Sequence, residues 1–384
     1  MNPATREYIR QNFAAYYSHD RVSVPPSLLQ REWGFISFDE TSKIPMRRHM
    51  AFQSREELAS YVRVTVPRHM FFSTAYYEFP SAPTMNDKIW AGADLIFDLD
   101  ADHIVQGVSY DTMLSRVKDE TLKLIDMLSD ELGFSKRSMS LVFSGGRGYH
   151  IHVRDLEIRG WGSSERRELV DYVCGIGIDP AFMLSGHEGG GGGWPARYRE
   201  SLSLELQCIR DMGAKDGVKY LSSLKGVGEG SARQFYEEID SVIASVDDLS
   251  SPVLLMKNNA LRAIIGGEYE PLKQRILSKA ALTDEPVTTD IKRLIRAPGS
   301  LHGGSGFRVT ALDSVADLES FDPLVDAVVA DFGDNEVSVE CLFSLTMPMM
   351  GQVYTIEKGI NRVPIPMAIF LCCRGIGEIG APDS

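Results

Sequence analysis

The spacing of apolar residues changes along the chain and predicts a mixture of helices and strands. Between residues 110 and 132 the apolar positions recur every three or four residues, which is typical of an amphipathic helix, and Gly133 then ends it. Shorter apolar and aromatic runs at 33–38, 69–77 and 93–99 predict strands instead. Ser54 precedes a further helical pattern, SREELASYVR, and is predicted to cap that helix.

A central region is rich in helix formers and is flanked by two regions of mixed pattern. Helical patterns fill most of residues 200–280, whereas strands, helices and glycine turns alternate on both sides of it. The run Gly189–Gly193 is the strongest linker signal in the chain. We therefore expect an α/β (α+β) fold with a mixed sheet, in which 1–195 and 283–384 form one domain and 196–282 form a smaller helical insertion.

The composition excludes several classes of protein. With 384 residues, of which 43% are hydrophobic and 24% are charged, the chain can build a substantial core and is not a disordered tail. The formal net charge of −13 argues against a protein that coats duplex DNA or membranes nonspecifically, but it leaves room for a small basic cleft. The longest apolar run, 363–373, has about half the length of a membrane span, and the N-terminus carries no apolar segment typical of a signal peptide. We therefore expect a soluble cytoplasmic protein with no membrane partner.

The five cysteines predict neither a disulfide framework nor a structural zinc site. A tetrahedral zinc site needs about four Cys or His ligands, normally in two close pairs. Cys372 and Cys373 are adjacent, the other cysteines are scattered, and no CxxC pair occurs. We expect the purified protein to contain no structural zinc.

Two aspartates in the string ADLIFDLDADH (93–103) are the first candidates for chemistry. If residues 95–100 form a strand, Asp98 and Asp100 share one face with Ile96 and lie about 6.5–7 Å apart at Cα. Two carboxylates about 5 Å apart repel each other by roughly 3 kcal/mol at an effective dielectric constant of about 20. Such a pair favours a divalent cation, and Mg²⁺ and Mn²⁺ suit oxygen ligands. A solvated strand end would carry the same acidic residues, so this pattern alone leaves both interpretations open.

The string FSGGRGYHIHV (143–153) places an arginine in a glycine-rich turn between two predicted strands. Glycines let the backbone approach a ligand closely, and Arg147 projects from the turn. His150 and His152 share one face of the following strand. Such a turn can hold a triphosphate, although it is neither a Walker A loop nor a GxGxxG motif. An ordinary hairpin turn beside a solvent-facing strand gives the same pattern.

A third stretch, residues 283–309, concentrates positive charge in an acidic chain. Its basic residues are Lys292, Arg293, Arg296 and Arg308. Carboxylates lie just upstream, and a glycine-rich turn contains Ser300 and His302. A basic, solvated helix face followed by a loop is the alternative. Together the three stretches suit two-metal phosphoryl chemistry, without separating synthesis from hydrolysis.

These stretches resemble the small catalytic subunit of archaeal and eukaryotic-type DNA primases, most closely the archaeal branch. The matching strings follow the family's order: RRHMAF, PRHMFFSTAYYE, KIWAGADLIFDLDADH, ELGF, LVFSGGRGYHIHV and VTTDIKRLIRAPGSLHGGSGFRV. They cover most of 45–155 and 283–309, and the joint occurrence of DLDAD, SGGRGYH and RLIRAPGSLH is highly specific. Many relatives carry a Cys/His zinc knuckle soon after the DxD pair, whereas residues 101–140 of this chain contain His103 and no cysteine.

The resemblance implies which residues carry the chemistry. The catalytic, metal-binding aspartates would be Asp98, Asp100 and Asp284. The residues that bind the nucleotide triphosphate would be Ser144, Arg147, His150, Arg296 and His302. Glu32 and Arg48 match positions linked to the initiating nucleotide.

The resemblance also implies an activity, cofactors and partners. Such an enzyme uses Mg²⁺ or Mn²⁺ to make short RNA primers for DNA replication from NTPs on single-stranded DNA, together with a large primase subunit. A repair-type primase-polymerase that prefers deoxynucleotides would use the same site. A metal-dependent nuclease is a further alternative, but it would not need a triphosphate site. A non-catalytic nucleic-acid-binding module is another, although the net charge of −13 is wrong for strong autonomous binding.

Two neighbouring aspartates compete for the third metal-binding position. The segment DIKRLIR (290–296) predicts a short helix with Asp290 at its N-terminus, where the carboxylate is explained as a cap or a first-turn charge. Asp284 has no such local explanation and precedes Pro286 in an extended segment. We therefore predict that Asp284, not Asp290, completes the metal site.

Overall fold

The computed structural model describes residues 1–19, 21–38, 46–101, 107–186, 192–253, 258–333 and 335–379. Its α-helices are α1 (Pro3–Tyr17), α2 (Arg55–Thr65), α3 (Tyr110–Asp126), α4 (Ser163–Cys174), α5 (Pro180–Met183), α6 (Trp194–Asp211), α7 (Ala214–Ser222), α8 (Glu229–Glu237), α9 (Ile239–Asp247), α10 (Asn259–Ile265), α11 (Glu270–Lys279), α12 (Glu285–Thr289), α13 (Pro323–Asp326) and α14 (Ile365–Cys373). Its strands are β1 (Trp33–Ile36), β2 (Arg47–Met50), β3 (His69–Ser73), β4 (Ala75–Tyr77), β5 (Trp90–Ala93), β6 (Leu95–Asp100), β7 (Met139–Phe143), β8 (Gly148–Val153), β9 (Leu294–Arg296), β10 (Thr310–Ala311), β11 (Glu336–Cys341), β12 (Leu345–Met349), β13 (Gln352–Ile356), β14 (Gly359–Pro364) and β15 (Gly377–Ile379).

Several local predictions are confirmed. The helix predicted over 110–132 is α3 followed by a π-helical turn, Met127–Glu131, after which Gly133 adopts a left-handed conformation with φ of 75°. The hydroxyl of Ser54 caps α2 by accepting a hydrogen bond from the N–H of Glu57. The two strands that flank the glycine-rich turn are β7 and β8, and they pair antiparallel.

The chain separates into two compact units. The α/β unit contains residues 1–125, 134–168 and 282–384, and the helical unit contains 126–133 and 169–281. The helical unit therefore begins earlier in the chain than the insertion that we expected to start at residue 196. The limits of that insertion as a folding domain stay a prediction.

The helical unit is organised around α6. Leu202, Leu206 and Ile209 on this helix are fully buried. Arg199, also buried, donates to the carbonyl groups of Met183, Ser185, Asp248 and Ser251, and it thereby joins the segments on both sides of the helix.

Residues 189–191 of the predicted glycine linker lie outside the described residues, and Gly193 directly precedes α6. Among the described helices, none combines the length and apolar character needed to cross a membrane.

The α/β unit contains two four-stranded sheets, with strand orders β2-β1-β3-β9 and β10-β7-β8-β6. The smaller sheets are β14-β11-β15, β12-β13 and β4-β5. The expected α/β (α+β) class is confirmed. However, the strand pairs among the described residues are antiparallel, so the predicted mixed sheet is corrected to several antiparallel sheets. The short turn between β7 and β8 allows only this arrangement, because a parallel pair needs a long crossover.

Strand β6 is covered on both faces. Leu95, Phe97 and Leu99 are buried on one face, as predicted, but Ile96 on the other face is also only 1% exposed. Only the carboxyl-terminal part of that second face, at Asp98 and Asp100, is partly open. The aspartates therefore do not lie on a fully solvated strand end.

A buried polar network, the Asp94 cluster, anchors the start of β6. It consists of Asp94, Arg31, Tyr76, Arg154 and Arg166. The Asp94 carboxylate accepts hydrogen bonds from Arg31 Nη2 at 2.9 Å, from the Tyr76 hydroxyl at 2.5 Å and from Arg154 Nε at 3.3 Å. Arg166 Nη1 donates to the Asp94 carbonyl at 2.9 Å. Breaking a buried ion pair leaves an uncompensated charge and is strongly destabilising. The network therefore fixes the start of β6 relative to the arginines that bind Asp94.

Candidate active site

A cleft of about 270 Å³ is lined by residues from both four-stranded sheets of the α/β unit. The residues that line it are Phe71, Asp98, Asp100, Ser144, Gly146, Arg147, His150, Arg293, Leu294, Ile295, Arg296, His302, Gly304 and Arg374. Most of the candidate residues selected from the sequence therefore lie around one space, although they come from three separate stretches of the chain.

The register between β6 and β8 sets the acidic side of the cleft. Asp98 pairs with His150 and Asp100 pairs with Gly148, so Asp98 and His150 project from the same face. His150 Nε2 lies 3.5 Å from Asp98 Oδ1. Gly148 must be glycine here, because a Cβ atom would lie 2.0 Å from the carbonyl oxygen of Leu99.

Asp284 lies beside the same strand. Its N–H donates to the Asp98 carbonyl at 2.9 Å, and the Thr283 hydroxyl donates to that carbonyl at 3.1 Å. Asp284 occupies the position before α12, but its side chain makes no capping hydrogen bond. Its carboxylate is therefore not committed to stabilising the helix.

The predicted helix over 290–296 is wrong. The helix is α12 (Glu285–Thr289), and Asp290 follows its end rather than starting a new one. Residues 294–296 form β9, because they pair with β3 and this tertiary pairing overrides the local helical pattern. The exposed Asp290 carboxylate accepts a hydrogen bond from the N–H of Lys292 at 2.9 Å, so it does have a local structural role.

The environment of Asp98 disfavours its charge. Burial, followed by the charges of Asp100 and Asp284, raises the pKa of Asp98 to about 7. Asp98 and Asp100 line the cleft, whereas Asp284 does not line it and acts on Asp98 through its charge. Carboxylate oxygens are the ligands that Mg²⁺ and Mn²⁺ prefer. Within the described residues, no three His, Cys, Asp or Glu side chains are already arranged as a metal site.

The glycine-rich turn forms the wall next to Asp100. The Ser144 hydroxyl accepts a hydrogen bond from the N–H of Gly146 at 3.3 Å, and Arg147 Nε lies 4.0 Å from Asp100 Oδ1. Gly145 has a φ of 75°, and a Cβ atom there would lie 2.8 Å from the His302 side chain. The glycines therefore let the turn approach both the acidic side and the loop that carries His302.

Arg296 and His302 provide donors on the opposite side. Arg296 Nη1 lies 2.8 Å from His69 Nδ1, and its guanidinium stacks on Phe71 with 5.1 Å to the ring centre. Burial lowers the pKa of Arg296 to about 10, which leaves it protonated. His302 Nδ1 lies 3.2 Å from the N–H of Gly304 and 3.1 Å from the Ser305 hydroxyl. Its other ring nitrogen, Nε2, faces Gly146 and lies 3.1 Å from where a Cβ atom would be.

Two further candidates, Glu32 and Arg48, are like Asp284 not among the residues that line the cleft. The Glu32 side chain is fully buried and accepts from Arg48 Nε at 3.0 Å and from the N–H of His49 at 3.1 Å. Lys88 Nζ lies 3.7 Å from the same carboxylate. This ion-pair group fixes Arg48 and leaves its guanidinium partly exposed.

Comparison with known proteins decides the family. The family model described as DNA primase small subunit matches residues 97–314. The DNA primase small subunit PriS of Methanoregula boonei is 54% identical over 380 residues, which cover 99% of this chain and 100% of that protein. The chain belongs to the DNA primase small subunit family. The proteins of the same name from Methanosphaerula palustris and Halobacterium salinarum are 50% and 36% identical, over 99% and 98% of this chain and 99% of each relative.

Family membership gives the general activity of the chain. It is the catalytic subunit of a DNA primase, a nucleotidyltransferase that makes RNA primers for DNA replication. Catalysis in this family depends on divalent metal ions in general. The family match includes the aspartates, the glycine-rich turn, Arg296 and His302.

Some residues around the cleft were missed by sequence reasoning. His69 and Phe71 lie in the matching string PRHMFF, but the string assigns them no role. Arg374 follows α14 near the end of the chain and lines the cleft from a segment with no recognisable motif. Only the fold brings these residues next to the glycine-rich turn and β9.

Proposed function

We propose that the cleft is the site of template-directed nucleotidyl transfer, in which NTPs are joined into a short RNA primer on single-stranded DNA. The observation that carries this proposal is the position of Asp98, whose charge is opposed by Asp100 and Asp284 while Arg296 lines the same cleft. Acidic and basic groups around one small cleft match the needs of a metal-bound triphosphate.

The aspartates are proposed as the metal ligands. Mg²⁺ or Mn²⁺ held by Asp98, Asp100 and Asp284 would stabilise charge on the α-phosphate and the leaving pyrophosphate, and would lower the pKa of the attacking 3′-hydroxyl. Asp98 must lose its proton to serve as a ligand, and its partly buried environment makes this group the most sensitive to a neighbouring cation. Structural zinc is not expected, and elemental analysis that found one zinc per chain would contradict this part.

The basic side is proposed to bind the triphosphate. Arg296 and Arg147 would donate charge-assisted hydrogen bonds to phosphate oxygens, and His302 would donate through Nε2. Burial, and then the positive charges of Arg296 and Arg293, lower the pKa of His150 to about 3, so this imidazole is neutral. We assign to His150 and Ser144 the role of neutral hydrogen-bonding partners in the same site.

Glu32 and Arg48 are proposed to serve the initiating nucleotide. The partly exposed guanidinium of Arg48 is held by the buried Glu32 carboxylate. The Arg48 side chain is therefore already ordered in one conformation and loses little entropy when it binds an anionic group. Glu32 would then act through Arg48 and need not touch the nucleotide.

The chain is proposed to work as a heterodimer with a large primase subunit. The relatives from Methanoregula boonei and Methanosphaerula palustris are named as small subunits. The net charge of −13 supports this arrangement, because an acidic chain with a small basic cleft grips a nucleic-acid strand weakly by itself.

Primer synthesis on single-stranded DNA tests the proposal directly. Purified protein, with and without the large subunit, would be given NTPs in the presence of Mg²⁺, Mn²⁺ or EDTA. We expect primers only in the presence of a divalent metal, and only from protein that retains Asp98. Asp119→Asn, an exposed residue on α3, is the matched control and should retain full activity. Primers formed by Asp98→Asn at the normal rate would refute the site.

The same assay distinguishes the alternatives. Incorporation of ATP against dATP on one template separates a replicative primase from a repair-type primase-polymerase. A nuclease would degrade the template in the presence of metal and would gain no thermal stability from NTPs. A non-catalytic binding module would show neither activity.

A further inference from the structure

We propose that His69 is a positioning residue for the triphosphate site, because its Nδ1 accepts hydrogen bonds from Arg296 and from the backbone of Gly303. This inference rests on the proposed triphosphate-binding role of Arg296 and His302. It adds a residue that connects the strand carrying Arg296 with the loop carrying His302.

The geometry at His69 determines which nitrogen holds its proton. Arg296 Nη1 lies 2.8 Å from Nδ1, and the N–H of Gly303 lies 3.3 Å from the same atom. A guanidinium and a backbone N–H are donors only, so Nδ1 must be unprotonated and the proton must be on Nε2. Burial, followed by the charges of Arg296 and Arg68, lowers the pKa of His69 to about 3. Nδ1 is therefore an acceptor throughout the physiological pH range.

The neighbouring residue completes the connection to the loop. Arg68 Nε and Nη2 both donate to the Gly303 carbonyl at 3.2 Å. Two consecutive residues at the start of β3 thus bind both backbone groups of Gly303. A Cβ atom at residue 303 would lie 2.2 Å from the Arg68 side chain, so only glycine permits this approach. The rings of His69 and His302 also meet edge to face, with 5.2 Å between their centres.

Through these contacts the His69 imidazole fixes Arg296 and the loop that carries His302 relative to each other. His69 uses one donor of Arg296 and leaves the remaining donors of the planar guanidinium for an anion in the cleft. It is not among the residues that line the cleft, so its effect must pass through Arg296 and the loop. A guanidinium already held by His69 on one side and Phe71 on its face loses little freedom when a triphosphate binds.

A double-mutant cycle tests the inference. His69→Leu removes the acceptor, His69→Asn keeps an acceptor near the position of Nδ1, and Arg296→Ala removes the proposed triphosphate ligand. His19→Leu, on an exposed histidine after α1, is the matched control. Each variant and the His69→Leu/Arg296→Ala pair would be assayed for KM(NTP), kcat and melting temperature in primer extension. If His69→Leu does not fold, His69→Phe, which keeps a ring against His302, takes its place.

We expect His69→Leu to raise KM(NTP) about tenfold with little change in kcat, and His69→Asn to restore KM to within about threefold of the parent. In the Arg296→Ala background, His69→Leu should raise KM(NTP) by clearly less than in the parent, because only the part of its effect that passes through the loop remains. If Arg296→Ala itself leaves KM and kcat unchanged, both the proposed function of Arg296 and this inference are wrong. Two outcomes would contradict only the inference about His69, provided that Arg296→Ala weakens NTP binding. In the first, His69→Leu has no effect on KM(NTP). In the second, it has the same full effect with and without Arg296.

Discussion

Two aspartates four residues apart, Asp94 and Asp98, occupy opposite kinds of buried environment. Asp94 is surrounded by donors from Arg31, Arg154 and Tyr76. Asp98 faces two further carboxylates, and burial raises its pKa to about 7. The chain thus surrounds Asp94 with hydrogen-bond donors and Asp98 with like charge. A structural aspartate and a candidate catalytic aspartate are distinguished here chiefly by their partners.

The largest expected effect is the loss of catalysis when a carboxylate of the cleft is neutralised. Asp98→Asn and Asp100→Asn should each lower the rate of primer synthesis by about 10³-fold or more, which corresponds to about 4 kcal/mol. Neither variant should melt earlier in EDTA, because removing one charge relieves repulsion among the three aspartates. Substantial activity in both purified variants would show that these two carboxylates are not catalytic.

A second expected effect separates Asp284 from Asp290. Asp284→Ala should lower the rate by about 10²–10³-fold with little change in melting temperature, because its side chain caps nothing. Asp290→Ala is the matched control: it removes an exposed turn hydrogen bond, so it should cost less than about 1 kcal/mol of stability and spare the rate. Melting curves and rates measured on the same preparations decide this, and the reverse pattern would place the third carboxylate at Asp290.

Asp94 should show the opposite behaviour from Asp98. Asp94→Asn leaves the buried guanidinium of Arg31 without its counter-charge, so the free energy of unfolding should fall by about 3 kcal/mol. Denaturant titration measures this directly. If Asp94→Asn instead keeps its stability and loses only activity, the Asp94 cluster is part of the catalytic machinery and the distinction fails.

The smallest expected effect is a pH dependence of stability without metal. The pKa of Asp98 in the folded state, about 7, lies above its ordinary value of 3.8. Between these values the folded chain keeps a proton that the unfolded chain has lost, so the free energy of unfolding should fall as pH rises from about 4 to about 7. The full shift corresponds to about 4 kcal/mol. Because the Asp98 side chain is still 20% exposed, we expect only part of this, on the order of 1–2 kcal/mol in EDTA, and Asp98→Asn should remove it. An unchanged pH profile in that variant would show that Asp98 titrates normally.

The sequence predicted local features well wherever they depend on local physics. The Ser54 cap, α3 with its glycine stop, and the β7–β8 hairpin all follow from residues near in sequence. The segment 290–296 was mispredicted because a helical pattern was overridden by pairing between β9 and β3. For the same reason His69 could not be selected: its partners, Arg296 and Gly303, lie more than two hundred positions away along the chain.

The Asp94 cluster was missed for a different physical reason. Arg31 and Asp94 look like ordinary surface residues in the sequence, since charged side chains are rarely buried without partners. Only the fold shows that Arg31 is fully buried, where it donates to the Ser73 carbonyl at the end of β3 and forms an ion pair with Asp94 just before β6. The candidate site was easier to select, because glycines and paired carboxylates leave a dense local pattern.

The pairing of β3 with β9 and of β7 with β10 has a consequence for synthesis of the chain. Between the end of β8 at residue 153 and the start of β9 at residue 294 the ribosome must make residues 169–281, which are most of the helical unit. This takes on the order of 10 s at about 5–20 residues per second. During that interval one edge of β3 and one edge of β7 wait without their final partners, and unpaired edges are where strands from other molecules attach. A nascent chain stalled within the helical unit should therefore depend on chaperones far more than the finished enzyme does.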